Sequence, residues 1–390
     1  MLSDRIQHIK PSPTLALAAR AASLKAQGQD IVNLTVGEPD FDTPVHIKEA
    51  AIAAIHQGFT KYTAVEGILD LRKAVCAKFA RDNQLQYDPN QILISCGGKQ
   101  AFFNLAQVLL NPGDEVIIPT PYWVSYPDMV RLAEATPVFV TCPMEQHFKI
   151  TPAQLEAAIS PRTKLLVINS PSNPTGMAYC LEELQALAAV LRQHPQVWIA
   201  TDDMYEHMLW RTEPFANLIN ACPDLYARTI VLHGVSKTYA MTGWRIGFAA
   251  GPKALIDAMI TLQSQSTSNA CSIAQMAAIA ALNGDQQCIS PMRTAFKERH
   301  DYLVGCLNKI KGIECLPSDG TFYAFPKMQG FMKHLALADD IALSDYLLNQ
   351  AQIAVVPGSA FGAPGHIRLS FATSMAQLQL FVARLQAISS

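Results

Sequence analysis

Apolar residues along the chain fall into two alternating patterns. Short runs rich in branched residues recur at 91–95 (QILIS), 115–119 (EVIIP), 164–169 (KLLVIN), 196–201 (QVWIAT), 229–233 (TIVLH) and 246–250 (IGFAA). Runs this short, bounded by turn residues, predict buried strands. Longer stretches with helical spacing lie between them, at 45–57, 68–83, 101–110 and 181–192. A helix is also expected at 15–25 and a short strand at 31–36. Residues 252–282 read as largely helical around a polar interruption at 263–269, and 290–310 as one long helix. Strand–helix alternation predicts an α/β fold, with a mostly parallel sheet sandwiched by helices. Beyond residue 310 the pattern changes. Runs at 313–316, 321–326, 353–356 and 367–371 read as strands, mixed with helices at 341–350 and 375–387. That is an α+β arrangement. The expected division is a large domain over 45–288 and a smaller one built from 1–44 and 289–390.

Bulk properties narrow the function classes. The chain has 390 residues, half of them hydrophobic, which is ample for a large core and two domains. A net charge of −2 gives no reason to expect nucleic acid or an anionic membrane as partner. The nine cysteines lack CxxC spacing. They read as small buried apolar residues in a reduced cytosol, not as a disulfide framework or metal site. The opening residues MLSDRIQHIK lack the apolar core of a signal peptide. No charge-free apolar run approaches the ~20 residues of a spanning helix. A globular, cytoplasmic protein is expected.

The candidate chemistry sits at strand ends. After the run at 229–233 come Gly234, Ser236 and Lys237, and Arg245 follows eight residues after the lysine. A lysine beside apolar strands is desolvated, which lowers its pKa and makes its amine a nucleophile for a carbonyl. Ser236 and Arg245 are suited to holding a phosphate. A lone lysine near a loop is more often simply solvated. Gly97-Gly98-Lys99 separates a strand from a helix start, where backbone N–H groups can cradle a phosphate, although many α/β turns carry glycine. Trp123 follows the 115–119 strand and is either a stacking face for a flat ring or a core tryptophan. Asn173 stands in the proline-stiffened loop SPSNPTG. Asp202 opens the string DDMYEH, where helix capping is the commonest role for an acidic residue. Arg368 lies inside an apolar strand and needs a partner, either a structural anion or a substrate carboxylate.

The longer strings are far more specific. SKxxxMxGWRxG (236–247), DDMYEH, SPSNPTG, PYWVSYP, GEPDFDTP and HIRLSF stand in order along essentially the whole chain. Together they resemble the class I pyridoxal-phosphate-dependent aminotransferases of fold type I. With PSPT at 11–14 and GGKQA at 97–101, the chain looks most like the bacterial aspartate aminotransferases of the subgroup that includes aspartate/prephenate enzymes. That resemblance implies a Schiff base of pyridoxal 5'-phosphate on Lys237. Asp202 would pair with the ring nitrogen, and Asn173 and Tyr205 would bond the phenolic oxygen. Trp123 would stack on the ring, while Gly98, Lys99, Ser236 and Arg245 would hold the phosphate. Tyr62, in KYTAVEG, would reach the phosphate of a neighbouring subunit, implying a homodimer with shared sites. Gly37, Asn173 and Arg368 would take the substrate α-carboxylate. Trp123 would also line the substrate side.

The implied reaction moves the amino group of L-aspartate to 2-oxoglutarate by a ping-pong route, with Lys237 as general base and acid. Lys99, Ser12 and Thr14 are candidates for the distal carboxylate, and Lys10 lies near where prephenate use would be set. Alternatives are a prephenate or broader aromatic/alanine aminotransferase, and a Cβ–S lyase on the same fold. A non-catalytic regulator would need an added DNA-binding segment, and no basic helix-turn-helix precedes Pro11. A purely structural α/β protein would not need Lys237, Asp202, Asn173 and Arg368 together.

Overall fold

The computed structural model describes residues 2–7, 9 and 13–389, and of residues 4, 5 and 13–15 the backbone alone. Among the described residues twelve strands follow one another: β1 Val32–Asn33, β2 Ile92–Ser95, β3 Glu115–Thr120, β4 Thr136–Thr141, β5 Thr163–Asn169, β6 Trp198–Asp202, β7 Thr229–Gly234, β8 Gly247–Ala250, β9 Tyr323–Ala324, β10 Ile353–Ala354, β11 Val356–Pro357 and β12 Ile367–Ser370. The main sheet has seven strands in the order β2-β8-β7-β6-β5-β3-β4. β4, β3, β5, β6 and β7 run parallel, and β8 is antiparallel to both neighbours. Because β8 reverses direction twice over, β2 points the same way as β7.

β2, β8 and β7 are buried along their whole length and β5 and β6 over most of theirs, as a sheet covered on both faces requires. One face packs under Phe102, Leu105, Met129 and Ile256, and the other under Val75, Phe79, Ala277 and Ala278 or, further along, Leu184 and Leu187. A separate core gathers Val32 and Leu34 with Phe296, Leu303, Phe322, Leu347, Leu369 and Phe381. Two small sheets accompany that core, β11-β12-β9 and β1-β10.

The structure departs from the sequence pattern at 31–36, where only Val32–Asn33 is strand, and in the last eighty residues. The expected strand at 313–316 is one isolated bridge, Glu314 to Lys327. Ile313 and Cys315 are buried against the long helix Ile289–Leu307 without forming a ladder. The run at 321–326 contracts to β9, and 353–356 breaks into β10 and β11. In each case the apolar signal reports burial, which an irregular segment satisfies as well as a strand does. One helix boundary matters for the site. The helix expected from 101 begins at Gly98, which puts Lys99 in its first turn.

Candidate active site

β2, β3, β5, β6 and β7 carry their carboxyl ends to one edge of the main sheet, where ligands of open α/β sheets bind. Residues just beyond those ends line a single cavity of about 480 Å³. Gly98 follows β2, Trp123 follows β3, Asn169 ends β5, Asp202 ends β6 and Lys237 follows β7. The smaller core closes the cavity with Thr35, Gly37, Glu38, Tyr323 and Arg368.

One end of the cavity is cationic. Gly97 has φ +84°, and a Cβ there would lie 2.3 Å from Arg245 Nη2. A Cβ on Gly247 would lie 2.3 Å from the Gly98 nitrogen. Only glycines let β2's exit turn, the start of β8 and the guanidinium come this close. Helix Gly98–Leu109 starts at this end with its positive dipole; Gln100 and Ala101 donate to the Gly97 carbonyl, and the Gly98 and Lys99 N–H groups precede them. Arg245 has φ +57° and donates to the carbonyls of Thr242 and Cys96 at 2.9 and 3.2 Å. Held backbone strain of this kind gathers at functional sites.

Asp202 stands across the cavity. Burial raises its pKa, and hydrogen bonds from the Tyr126 hydroxyl (2.5 Å) and the Met204 N–H (3.3 Å) act against that. Asn169 donates to the Asp202 carbonyl at 3.0 Å and accepts from the Asn173 N–H at 2.8 Å, tying the loop after β5 to the end of β6. Asn173 in turn accepts from Arg368 Nη1 at 3.0 Å. Arg368 is 2% exposed. It also donates to the Thr35 carbonyl at 2.7 Å and lies over the Tyr323 ring, while its buried Nε has no partner. Tyr205 shares a hydrogen bond with Tyr323 at 3.1 Å.

Lys237 donates from Nζ to the Gly37 carbonyl at 2.6 Å. Burial brings its pKa down to about 8, with Arg368 and Arg245 pushing the same way and Glu38 opposing. Lys99 Nζ sits 5.3 Å from the centre of the Trp123 ring, and burial lowers its pKa too. Ser236 lines the same cavity. Tyr62 does not. It is 92% exposed in the single chain. Lys10 and Ser12 lie outside the described residues, as does the side chain of Thr14.

Residues 29–385 match the family Aminotransferase class I and II. The chain belongs to the class I and II aminotransferases. It is 59% identical to an aspartate/prephenate aminotransferase of Nitrosomonas europaea, with 100% of both chains covered. It is 52% identical to one of Cereibacter sphaeroides, covering 99% of this chain and 98% of that protein. An aspartate aminotransferase from Rhizobium meliloti superposes with a TM-score of 0.95 at 45% identity, over 100% of this chain and 98% of that one. The Thermus thermophilus aspartate aminotransferase with maleate superposes at 0.94 with 43% identity, over 100% and 99%. Among the described residues no helix is long and apolar enough to cross a membrane.

Aminotransferases of this family depend on pyridoxal phosphate, and the cavity suits that group. The glycine turn and Arg245 offer a cationic cradle at one end, Asp202 faces the cavity with two neutral donors on it, and the amine of Lys237 lies 6.0 and 5.9 Å from the centres of the Tyr205 and Phe322 rings. Motif reading missed several residues of this aminotransferase site. Tyr126 was visible only as part of PYWVSYP, and its partner Asp202 lies 76 positions away. Glu38, which accepts from Thr242 Oγ1 at 2.7 Å, carried no signal beyond its place in GEPDFDTP. Nor did the buried network beneath the cavity, where Lys78 pairs with Glu206. Asn83 bonds both residues at 2.7 Å. His207 and His233 approach Glu206 to 3.2 Å. Burial alone raises the Glu206 carboxyl, but Lys78 and the imidazoles hold it well below the usual range. Glu206, His207 and His233 have the donor types of a metal site, and the Lys78 ammonium already supplies the positive charge there.

Proposed function

We propose that this aminotransferase carries the amino group of L-aspartate to 2-oxoglutarate, and accepts prephenate as well, with pyridoxal 5'-phosphate held on Lys237. The observation that carries the reading is the convergence of a desolvated lysine amine, a buried carboxylate and a buried arginine with a free Nε on one cavity. Dicarboxylate use is supported by the relatives' names and by the maleate held by the Thermus thermophilus enzyme. The aspartate/prephenate name of both curated relatives favours the second acceptor.

Pyridoxal phosphate supplies an aldehyde that condenses with amines and a ring that takes up the electron pair released at the substrate Cα. Gly98, Lys99 and Ser236 with Arg245 hold its phosphate through backbone N–H, hydroxyl and guanidinium donors. Trp123 offers its face to the ring. Asp202 keeps the ring nitrogen protonated, since an adjacent anion favours the charged form. Asn173 and Tyr205 donate to the phenolic oxygen. Arg368 and Asn173, with the Gly37 backbone, grip the α-carboxylate. Lys237 Nζ would take the proton from the substrate Cα and deliver it to the cofactor's aldehyde carbon, and would move it the opposite way in the second half-reaction; an amine with a pKa of about 8 is suited to both directions near neutral pH. Lys99, Ser12 and Thr14 meet the distal carboxylate. Tyr62, exposed on the single chain, reaches the phosphate of a second copy in a homodimer. Residues 45–288 form the large domain and the two termini the small one, in a cytoplasmic enzyme.

The deciding experiment supplies the purified protein with aspartate and either 2-oxoglutarate or prephenate, and follows oxaloacetate. Formation with both acceptors is expected. Pyruvate released from cysteine or cystathionine, with no oxaloacetate from either acceptor, would move the reading to a Cβ–S lyase.

A further inference from the structure

We propose that Tyr126 is a positioning residue for the cofactor, its phenol aiming the Asp202 carboxylate into the cavity and holding it in the ionised form. The inference rests on the reading of the cavity as a pyridoxal-phosphate site. It concerns a residue that the motifs left without a role.

Tyr126 opens the helix Tyr126–Leu132 and is 1% exposed. Its ring is fixed on two sides. Phe102 lies 4.8 Å away at a 52° tilt, and Trp123 meets it edge to face at 5.1 Å and 86°. The hydroxyl reaches Asp202 Oδ2 at 2.5 Å, and the Met204 N–H reaches Oδ1 at 3.3 Å. A carboxylate has about four acceptor positions. Two neutral donors on the protein side therefore leave acceptors free toward the cavity that Asp202 lines. The same Trp123 that offers a face to a flat ring thus sets the angle of the tyrosine that sets the carboxylate.

Packing alone does not require the hydroxyl. Phenylalanine would fill the same space, and a buried phenol must find a partner. Burial, the neighbouring Asp202 charge and the hydrogen bond to it keep the phenol protonated and donating. The titratable groups around Asp202 are Tyr126 from its helix, Lys237 from the turn after β7 and Tyr205 on its own turn. A donor to the ionised form favours that form. Removing the phenol therefore moves Asp202 to a higher pKa, on top of the rise that burial already causes.

The test is the affinity of cofactor-free protein for pyridoxal 5'-phosphate, measured by tryptophan quenching across the acid and neutral range. In Tyr126→Phe the affinity should fall roughly ten- to a hundredfold at neutral pH. The acid limb of the profile should also move up by about one pH unit. Loss by one constant factor at every pH would mean a packing role and overturn the proposal. In an Asp202→Asn background, Tyr126→Phe should add little further loss. The full loss persisting there would equally overturn it. Site-specific 3-fluorotyrosine at position 126 preserves the fold and donates more strongly, so it should move the limb down. A limb that stays put contradicts the proposal even if Tyr126→Phe does not fold. If the parent protein itself binds no pyridoxal phosphate, the reading of the cavity fails, a result distinct from a parent that binds and a variant that is unchanged.

Discussion

Arg368 on β12 donates to the side-chain oxygen of Asn173, 3.0 Å away and 195 positions earlier in the chain. The bond joins the smaller core to the loop after β5, and it fixes the asparagine amide with its nitrogen turned from the arginine. Arg368 spends its other terminal nitrogen on the Thr35 carbonyl and keeps Nε unpartnered in a buried setting. A buried donor without a partner costs about 1–3 kcal/mol. A site that takes up a carboxylate recovers that cost on binding.

Arg368→Ala should therefore weaken every amino-acid substrate, since all share the α-carboxylate. Lys99→Met should weaken aspartate and 2-oxoglutarate selectively. A lost charge-assisted bond costs about 1.5–3 kcal/mol, roughly ten- to a hundredfold in kcat/KM. Comparing aspartate, alanine and phenylalanine on both variants separates the two roles. Equal losses for all three in Lys99→Met would remove that lysine from specificity and leave it to the phosphate end through its backbone.

A further prediction concerns the buried pair Lys78–Glu206. Lys78→Met takes the ammonium away and leaves the buried Glu206 carboxylate with only Asn83 and the two imidazoles, which costs about 3–5 kcal/mol. Urea unfolding of the cofactor-free protein should show that loss at pH 7. The double variant Lys78→Met/Glu206→Gln should recover much of it. A single variant within about 0.5 kcal/mol of the parent, the usual range for a surface substitution, would mean the pair is not held as described.

Sequence pattern located the sheet because β5, β6 and β7 are buried on both faces and so read as continuous apolar runs. It also singled out residues that converge on one cavity, because Asn173, Asp202 and Lys237 each follow a strand end and those ends share one edge. It misplaced the strand at 313–316, where Ile313 and Cys315 are buried without a ladder. It could not see Tyr126 or Lys78. Their roles come from partners 76 and 128 positions away, Asp202 and Glu206, and no local spacing encodes such pairs.

Lys237 makes the cofactor-free protein pH-sensitive. Its pKa is about 8 in the folded chain, against about 10.4 unfolded. Between those values the unfolded chain binds more protons, so stability rises with pH across that window. Lys237→Met removes this rise. Its Tm relative to the parent should be highest near pH 7 and should decline as pH approaches 10. A difference constant over that range would mean the amine is not desolvated.

The exposed Tyr62 tests assembly. Lys237→Ala and Tyr62→Ala chains should each be badly impaired alone. Mixed and allowed to exchange, they form dimers in which one site collects both defects and the other is intact, so activity should partly return. No recovery despite proven exchange would argue against a shared site.

The most direct measurement is borohydride reduction of the purified holoenzyme followed by peptide mapping. A yellow protein is expected, with its cofactor becoming fixed covalently on the peptide containing Lys237. Label on another lysine, or no label on a protein that is active in amino transfer, would contradict it.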